Sequence, residues 1–157
     1  MPCPGGTMFG KRKKVDEEHL DELTRTLGGV AFFEGFDYHQ LHRVAELADE
    51  VEADKGSFVI DQGRVGQECF VILEGEAGVY VAGEHVATLG PGSMVGEMAL
   101  VEHRPRNASV VAETSMKLVA FDTKAFNTLL TEMPDVQRKV MTLLSARLEQ
   151  NAHLGDG

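Results

Sequence analysis

Between Val51 and Asp122 the chain is cut, by glycine-bearing breaks, into runs too short to be helices. "SFVI" is followed by "DQGRVGQ", "CFVIL" by "EGE", "GVYVA" by "GEHV" and "ATL" by "GPGSM". "NASVVAE" and "MKLVAFD" complete the series. Each run has strand length and each break carries turn residues. Links this short cannot hold the crossovers that parallel strands need, so the sheet is expected to be mostly antiparallel. About eight such strands at this spacing predict a sheet closed on itself as a barrel, roll or sandwich.

Helical periodicity flanks this region. Leu20, Leu23 and Leu27 mark a short amphipathic helix within 15–29, which Gly28 and Gly29 stop. "AFFEGF" reads as an apolar hook against the main domain. Asp37 is placed to cap a second helix carrying Leu41, Val44 and Leu47 or Ala48 on one face. After the strands, "TKAFNTLLTEM" predicts one helix, and Pro134 sits in the first turn of another, where proline is tolerated. That last helix has Val136, Val140, Leu143, Leu144 and Leu148 along one face. The fold class expected is α+β: an antiparallel eight-stranded, jelly-roll-like β-roll flanked by N-terminal helices and two C-terminal helices.

The net charge of −10 over 157 residues argues against a broad nucleic-acid surface. The one basic run, Lys11 to Lys14, is followed at once by Asp16, Glu17 and Glu18. Residues 1–14 are expected to be a disordered basic tail whose charges are solvated; a weak membrane or partner contact is the alternative. Met8 is a second candidate start, and 153–157 read as a flexible tail. The two cysteines, Cys3 and Cys69, form no disulfide framework, and a reducing, cytoplasmic setting is expected. No apolar run approaches the ~20 residues of a membrane span.

The stretch "VGEMALVEHRPRNASV", residues 95–110, is not explained by packing. Gly92 and Gly96 allow tight turns and close backbone approach to a ligand. Residues 97–101 would form one helical turn whose free N–H groups attract an anion, and Ala99 leaves them accessible. Arg106 can fork onto phosphate oxygens. A carboxylate beside a phosphate site, Glu97, accepts better from sugar hydroxyls. A surface salt bridge would account for Glu97 and Arg106 taken alone, but not for the surrounding glycines and small residues. The combination describes a small pocket for a compact ribose phosphate.

"GEMALVEHRPRNASV" resembles the phosphate-binding cassette of cyclic nucleotide-binding domains, at Gly96, Glu97, Ala99, Leu100, Pro105, Arg106, Ala108, Ser109 and Val110. "FVILEGEAGVYV", "DQGRVGQ" and "FNTLLTEMPDV" extend the resemblance over about residues 30–150, and 30–152 is taken as the domain. The resemblance implies that Arg106 pairs with the phosphate and Glu97 with the ribose 2′-hydroxyl. The backbone at Gly96, Met98 and Ala99 would complete the phosphate cradle, with Asn107 and Ala108 alongside. Val71 would face the sugar or base, and the last helix would close over the purine. Asn151 falls where the family presents a hydroxyl to adenine.

Two positions depart from the family pattern. Val95 replaces the usual aromatic residue, and Asn107 follows the arginine, where it could meet phosphate or a guanine amino group. The ligand implied is cAMP, with cGMP the alternative, and no cofactor or metal. The partner implied is a separate effector protein or a second subunit, without direct DNA binding. An interaction module with a vestigial pocket is the competing reading. An enzyme is disfavoured, because no nucleophile–base pair is visible. The six histidines also lack the i, i+4 or His-x-His spacing of a metal-bearing barrel.

Overall fold

The computed structural model describes residues 12–60, 68–96 and 108–153. Strands β1 (Arg12–Lys14), β2 (Asp49–Ala53), β4 (Glu68–Glu74), β7 (Met94–Val95) and β9 (Met116–Asp122) form one antiparallel sheet in the order β1-β2-β9-β4-β7. Strands β3 (Phe58–Ile60), β5 (Ala77–Val81), β6 (Glu84–Leu89) and β8 (Ser109–Ala112) form the second, in the order β3-β8-β5-β6. Successive strands after β2 mostly change sheet; the β5–β6 hairpin is the exception. Two faces are thereby closed over one interior, as the roll expected from the sequence requires.

Among the described residues that interior holds an apolar core, with Val51, Val59, Phe70, Ile72, Val110 and Leu118 each at most 5% exposed. A second core lies on the outer face of the five-stranded sheet, under the helices α1 (Glu17–Leu27), α2 (Tyr38–Leu47), α3 (Thr123–Glu132) and α4 (Pro134–His153). The five-stranded sheet is therefore buried on both faces, which explains the unbroken apolar runs of β4 and β9.

The corner between β4 and β5 depends on Gly75. Its φ of 94° is left-handed, and a Cβ there would lie 2.4 Å from the Ser115 carbonyl oxygen. Ser115 belongs to the neighbouring corner, between β8 and β9. The two corners are joined by Glu113 N–H donating to the Glu76 carbonyl at 2.9 Å and Glu76 N–H donating to Thr114 Oγ1 at 3.0 Å.

The expected helices are present. Asp37 caps α2 in a full capping box: its carboxylate accepts from Gln40 N–H at 2.8 Å, and Gln40 Oε1 accepts from Asp37 N–H at 3.0 Å. The hook is a short 3-10 turn, Ala31–Phe33, in which Phe33 meets Phe32 and Phe36 edge-on at centroid distances of 5.4 and 5.2 Å. Pro134 is the first residue of α4.

One expectation needs correcting at the N-terminus. Arg12–Lys14 is not a disordered tail but strand β1, in register with Asp49–Val51. Among the described residues β1 joins the eight strands β2–β9 of the expected roll. The acidic edge of β2 supplies the reason: Lys14 Nζ lies 3.3 Å from Asp49 and Lys13 Nζ 3.9 Å from Glu50.

Candidate functional site

The segment singled out in the sequence joins the two sheets. β7 ends at Val95, which pairs with Phe70 near the start of β4. β8 begins at Ser109, beside Val110, which pairs with Ile60 at the end of β3. Residues 61–67 run from β3 to β4, and residues 97–107 from β7 to β8. Both links therefore connect the same two strand pairs. The "DQGRVGQ" turn and the cassette, far apart in sequence, leave from adjacent strand ends.

The anchors of the cassette are firm. Val95, 6% exposed, and Val110, 5% exposed, both belong to the interior core. Gly96 has φ of 80°, a left-handed conformation that a side chain would strain, so the chain leaves β7 by a turn that favours glycine. Ala108 is half-buried and Ser109 buried at the other end. Of the residues inferred from the sequence, Gly96 and Ala108 thus flank the link directly. Glu97, Met98, Ala99, Arg106 and Asn107 lie outside the described residues. Asn151 falls within α4, and its side chain likewise lies outside them.

Val71 is placed differently from expectation. It is 3% exposed but packs with Cys69, Val119 and Phe121 on the helix side of the sheet. Alternation along β4 puts Phe70 and Ile72 in the roll interior instead. Val79 and Leu89, which the sequence did not single out, are partly buried apolar side chains packed against that interior. Val79 pairs with Val110, beside the end of the cassette. The only signal for Val79 was its place in the "GVYV" run, three residues beyond a Gly-Glu turn.

An apolar interior can stack against a base or sugar ring but cannot hold a phosphate. Burial of an ionised group without a partner is prohibitive. The sequence places the charged residues Glu97 and Arg106 in the link between β7 and β8.

The helices are wired into the same strands. β9 runs directly into α3, and Asp122, its last residue, caps that helix by accepting from Ala125 N–H at 2.8 Å. α4 is rooted by Val136 and Val140, which are 0% and 1% exposed. Two polar bridges reach the N-terminal helices. Arg43 donates to both carboxylate oxygens of Glu132 at 2.6 and 2.8 Å. The hydrogen-bonded guanidinium holds the Glu132 carboxyl below its ordinary value of 4.5. Lys139 Nζ donates to the Gly35 carbonyl at 2.5 Å and to Gln40 Oε1 at 3.1 Å, and sits 5.5 Å from the centre of the Phe36 ring.

Comparison with known proteins agrees with this geometry. The family model of the cyclic nucleotide-binding domain matches residues 50–133. The cAMP-dependent protein kinase regulatory subunit of Schizosaccharomyces pombe is 38% identical over 110 residues, 69% of this chain but 27% of that protein. The chain thus spans about a quarter of that relative. The regulatory domain of Toxoplasma gondii PKA, solved with cAMP, superimposes with a TM-score of 0.73 at 24% identity, over 85% of this chain and 51% of that one. The regulatory subunit of a cAMP-independent protein kinase A from Trypanosoma brucei gives 0.72 at 23%, over 84% and 46%. At such identities these two structures speak for the fold alone. The fold, the family match across the cassette and the 38% relative lead to one assignment: this chain belongs to the cyclic nucleotide-binding domain family.

Proposed function

We propose that the chain is a sensor that binds a cyclic nucleotide, cAMP in the first instance, between its two sheets and signals through its C-terminal helices. The observation that carries this reading is the cassette, which holds Glu97 and Arg106 and is anchored at Gly96 and Ala108 beside an apolar interior. Arg106 forks onto the cyclic phosphate, with the backbone at Gly96, Met98 and Ala99 completing the cradle. Glu97 accepts from the ribose 2′-hydroxyl. Asn107 sets the preference between adenine and guanine. Asn151, on α4, reaches the base when that helix closes.

The domain regulates rather than catalyses. Its output is the position of α3 and α4 relative to the roll, a population shift between two packings. The direct junction of β9 with α3 at Asp122 gives the strands a short route to those helices. The reader of that output is a separate effector protein or a second subunit, in the cytoplasm. No described helix is long and apolar enough to cross a membrane.

Calorimetric titration with cAMP and, separately, cGMP tests the reading. Binding at roughly micromolar or tighter affinity supports it, and the preferred nucleotide fixes the role of Asn107. The second reading is an interaction module that has lost its ligand. It is favoured by the two departures from the family pattern, Val95 and Asn107. Absence of both heat and thermal stabilisation with either nucleotide would establish that reading instead.

A further inference from the structure

The acidic strand β2 already carries a basic strand on its outer edge. Arg12–Lys14 pairs with Asp49–Val51 over three residues, and β1 is the terminal strand of its sheet. Its lysines reach Asp49 at 3.3 Å, Glu50 at 3.9 Å and Asp16 at 3.7 Å. They remain mostly solvated, 62% exposed at Lys13 and 75% at Lys14, so these ion pairs are weak and salt-sensitive. Among the described side chains, strand β1 is thus held by a short ladder and screened charges, with the adjoining Val15 packed against the helix-side core. An edge of this kind is a template for a second strand.

A cleft of about 510 Å³ adjoins this edge, between α1 and the outer face of the five-stranded sheet. Four carboxylates line it, Glu22, Glu50, Glu52 and Glu74, against two lysines, Lys13 and Lys117. Leu23 and Leu73 add apolar surface. The excess of negative charge, on a chain of net charge −10, attracts cations.

We propose that the outer edge of β2 is a docking site for a basic, extended segment of a partner protein, and that Arg12–Lys14 is a strap of the chain itself that competes for that edge. A partner strand would replace β1 in the ladder, set Lys or Arg against Asp49 and Glu50, and extend towards the acidic cleft. The site is remote in sequence from the cassette, and its test does not depend on nucleotide binding.

The probe is a fluorescent peptide spanning Gly10–Val15, followed by anisotropy with full-length protein. Lys13→Glu/Lys14→Glu repels the strap from β2 and is expected to bind the peptide at least about fivefold tighter than wild type, because the tethered competitor is gone. Lys55→Glu/Lys124→Glu changes net charge equally at two exposed lysines and is expected to match wild type. Adding Asp49→Asn/Glu50→Gln to the first variant is expected to abolish the gain. So is raising salt from about 50 to about 500 mM. Thermal melts of each variant verify folding. Equal binding by wild type and the strap variant, or a gain that survives neutralisation of Asp49 and Glu50, overturns the proposal. A concentration-dependent wild-type dimer that is lost on that neutralisation would assign the edge to a second copy and overturn it also.

Discussion

Arg43 and Glu132, 89 residues apart in sequence, meet in a two-pronged hydrogen bond that ties the N-terminal helices to the end of α3. The carboxyl of Glu132 is held down by the guanidinium, so the pair stabilises the folded state wherever Glu132 is ionised. A depressed carboxyl contributes above its unfolded value and loses that contribution as pH falls through the folded one. Glu132→Gln is therefore expected to lower the melting temperature at pH 7. The gap to wild type should hold down to about 4.5 and close below it. Thermal melts of both proteins between neutral and strongly acidic pH check this. A gap that persists unchanged in acid would show that the loss is one of packing and not of charge.

Gly75 makes a second prediction, on stability alone. A methyl group there meets the backbone oxygen of Ser115 first, and side-chain atoms of Met116 and Thr114 at 2.9 Å, and the left-handed φ adds strain. Gly75→Ala is expected to cost about 2 kcal/mol or more, read from urea unfolding. A loss below about 0.5 kcal/mol, the range of ordinary surface substitutions, would mean that the two corners shift apart easily.

The β5–β6 hairpin offers the opposite effect. Its two-residue turn is Ala82-Gly83, with φ of 52° and 85°, the conformation that Asn-Gly adopts most readily. Ala82 is the one non-glycine residue with positive φ among the described residues. Ala82→Asn is expected to stabilise by about 0.5–1 kcal/mol, relieving part of the left-handed cost. Differential scanning calorimetry would record this as a rise of about 1–4 °C.

The cassette roles are tested by Arg106→Ala and Glu97→Gln. Truncating Arg106 is expected to weaken cAMP binding by about 2–5 kcal/mol, the usual penalty for orphaning one partner of a buried charge pair. Glu97→Gln is expected to weaken cAMP but to leave the affinity for a 2′-deoxy analogue nearly unchanged. Titration calorimetry separates the two. An equal loss with both ligands would remove the ribose contact from Glu97.

Legibility of the sequence followed the physics of each element. Asp37 and Pro134 carry local signals, a capping box and a fixed φ, which tertiary context had no reason to override. Strand β4 hid the direction of Val71, because both of its faces are buried and "CFVIL" shows no polar alternation to tell inside from outside. Strand β1 was hidden for another reason. Its partner is an acidic strand distant in sequence, and nothing within Lys11–Lys14 itself asks to pair. The family was legible because the cassette sets residue types at fixed spacing, and the family model matches across that stretch. Val79 and Leu89 could be assigned only once the register of the second sheet was known.

The register of the larger sheet also governs how the protein can be made. Strand β2 finds its inner partner in β9, which also pairs with β4, so the middle of that sheet waits on the last strand of the roll. On the ribosome, Asp49–Ala53 emerges long before Met116–Asp122 exists to receive it. The growing chain must carry apolar strands without their lattice until nearly the whole roll has been translated. A chain stopped before residue 116 would leave β2 and β4 without the strand they share, their edges open to aggregation.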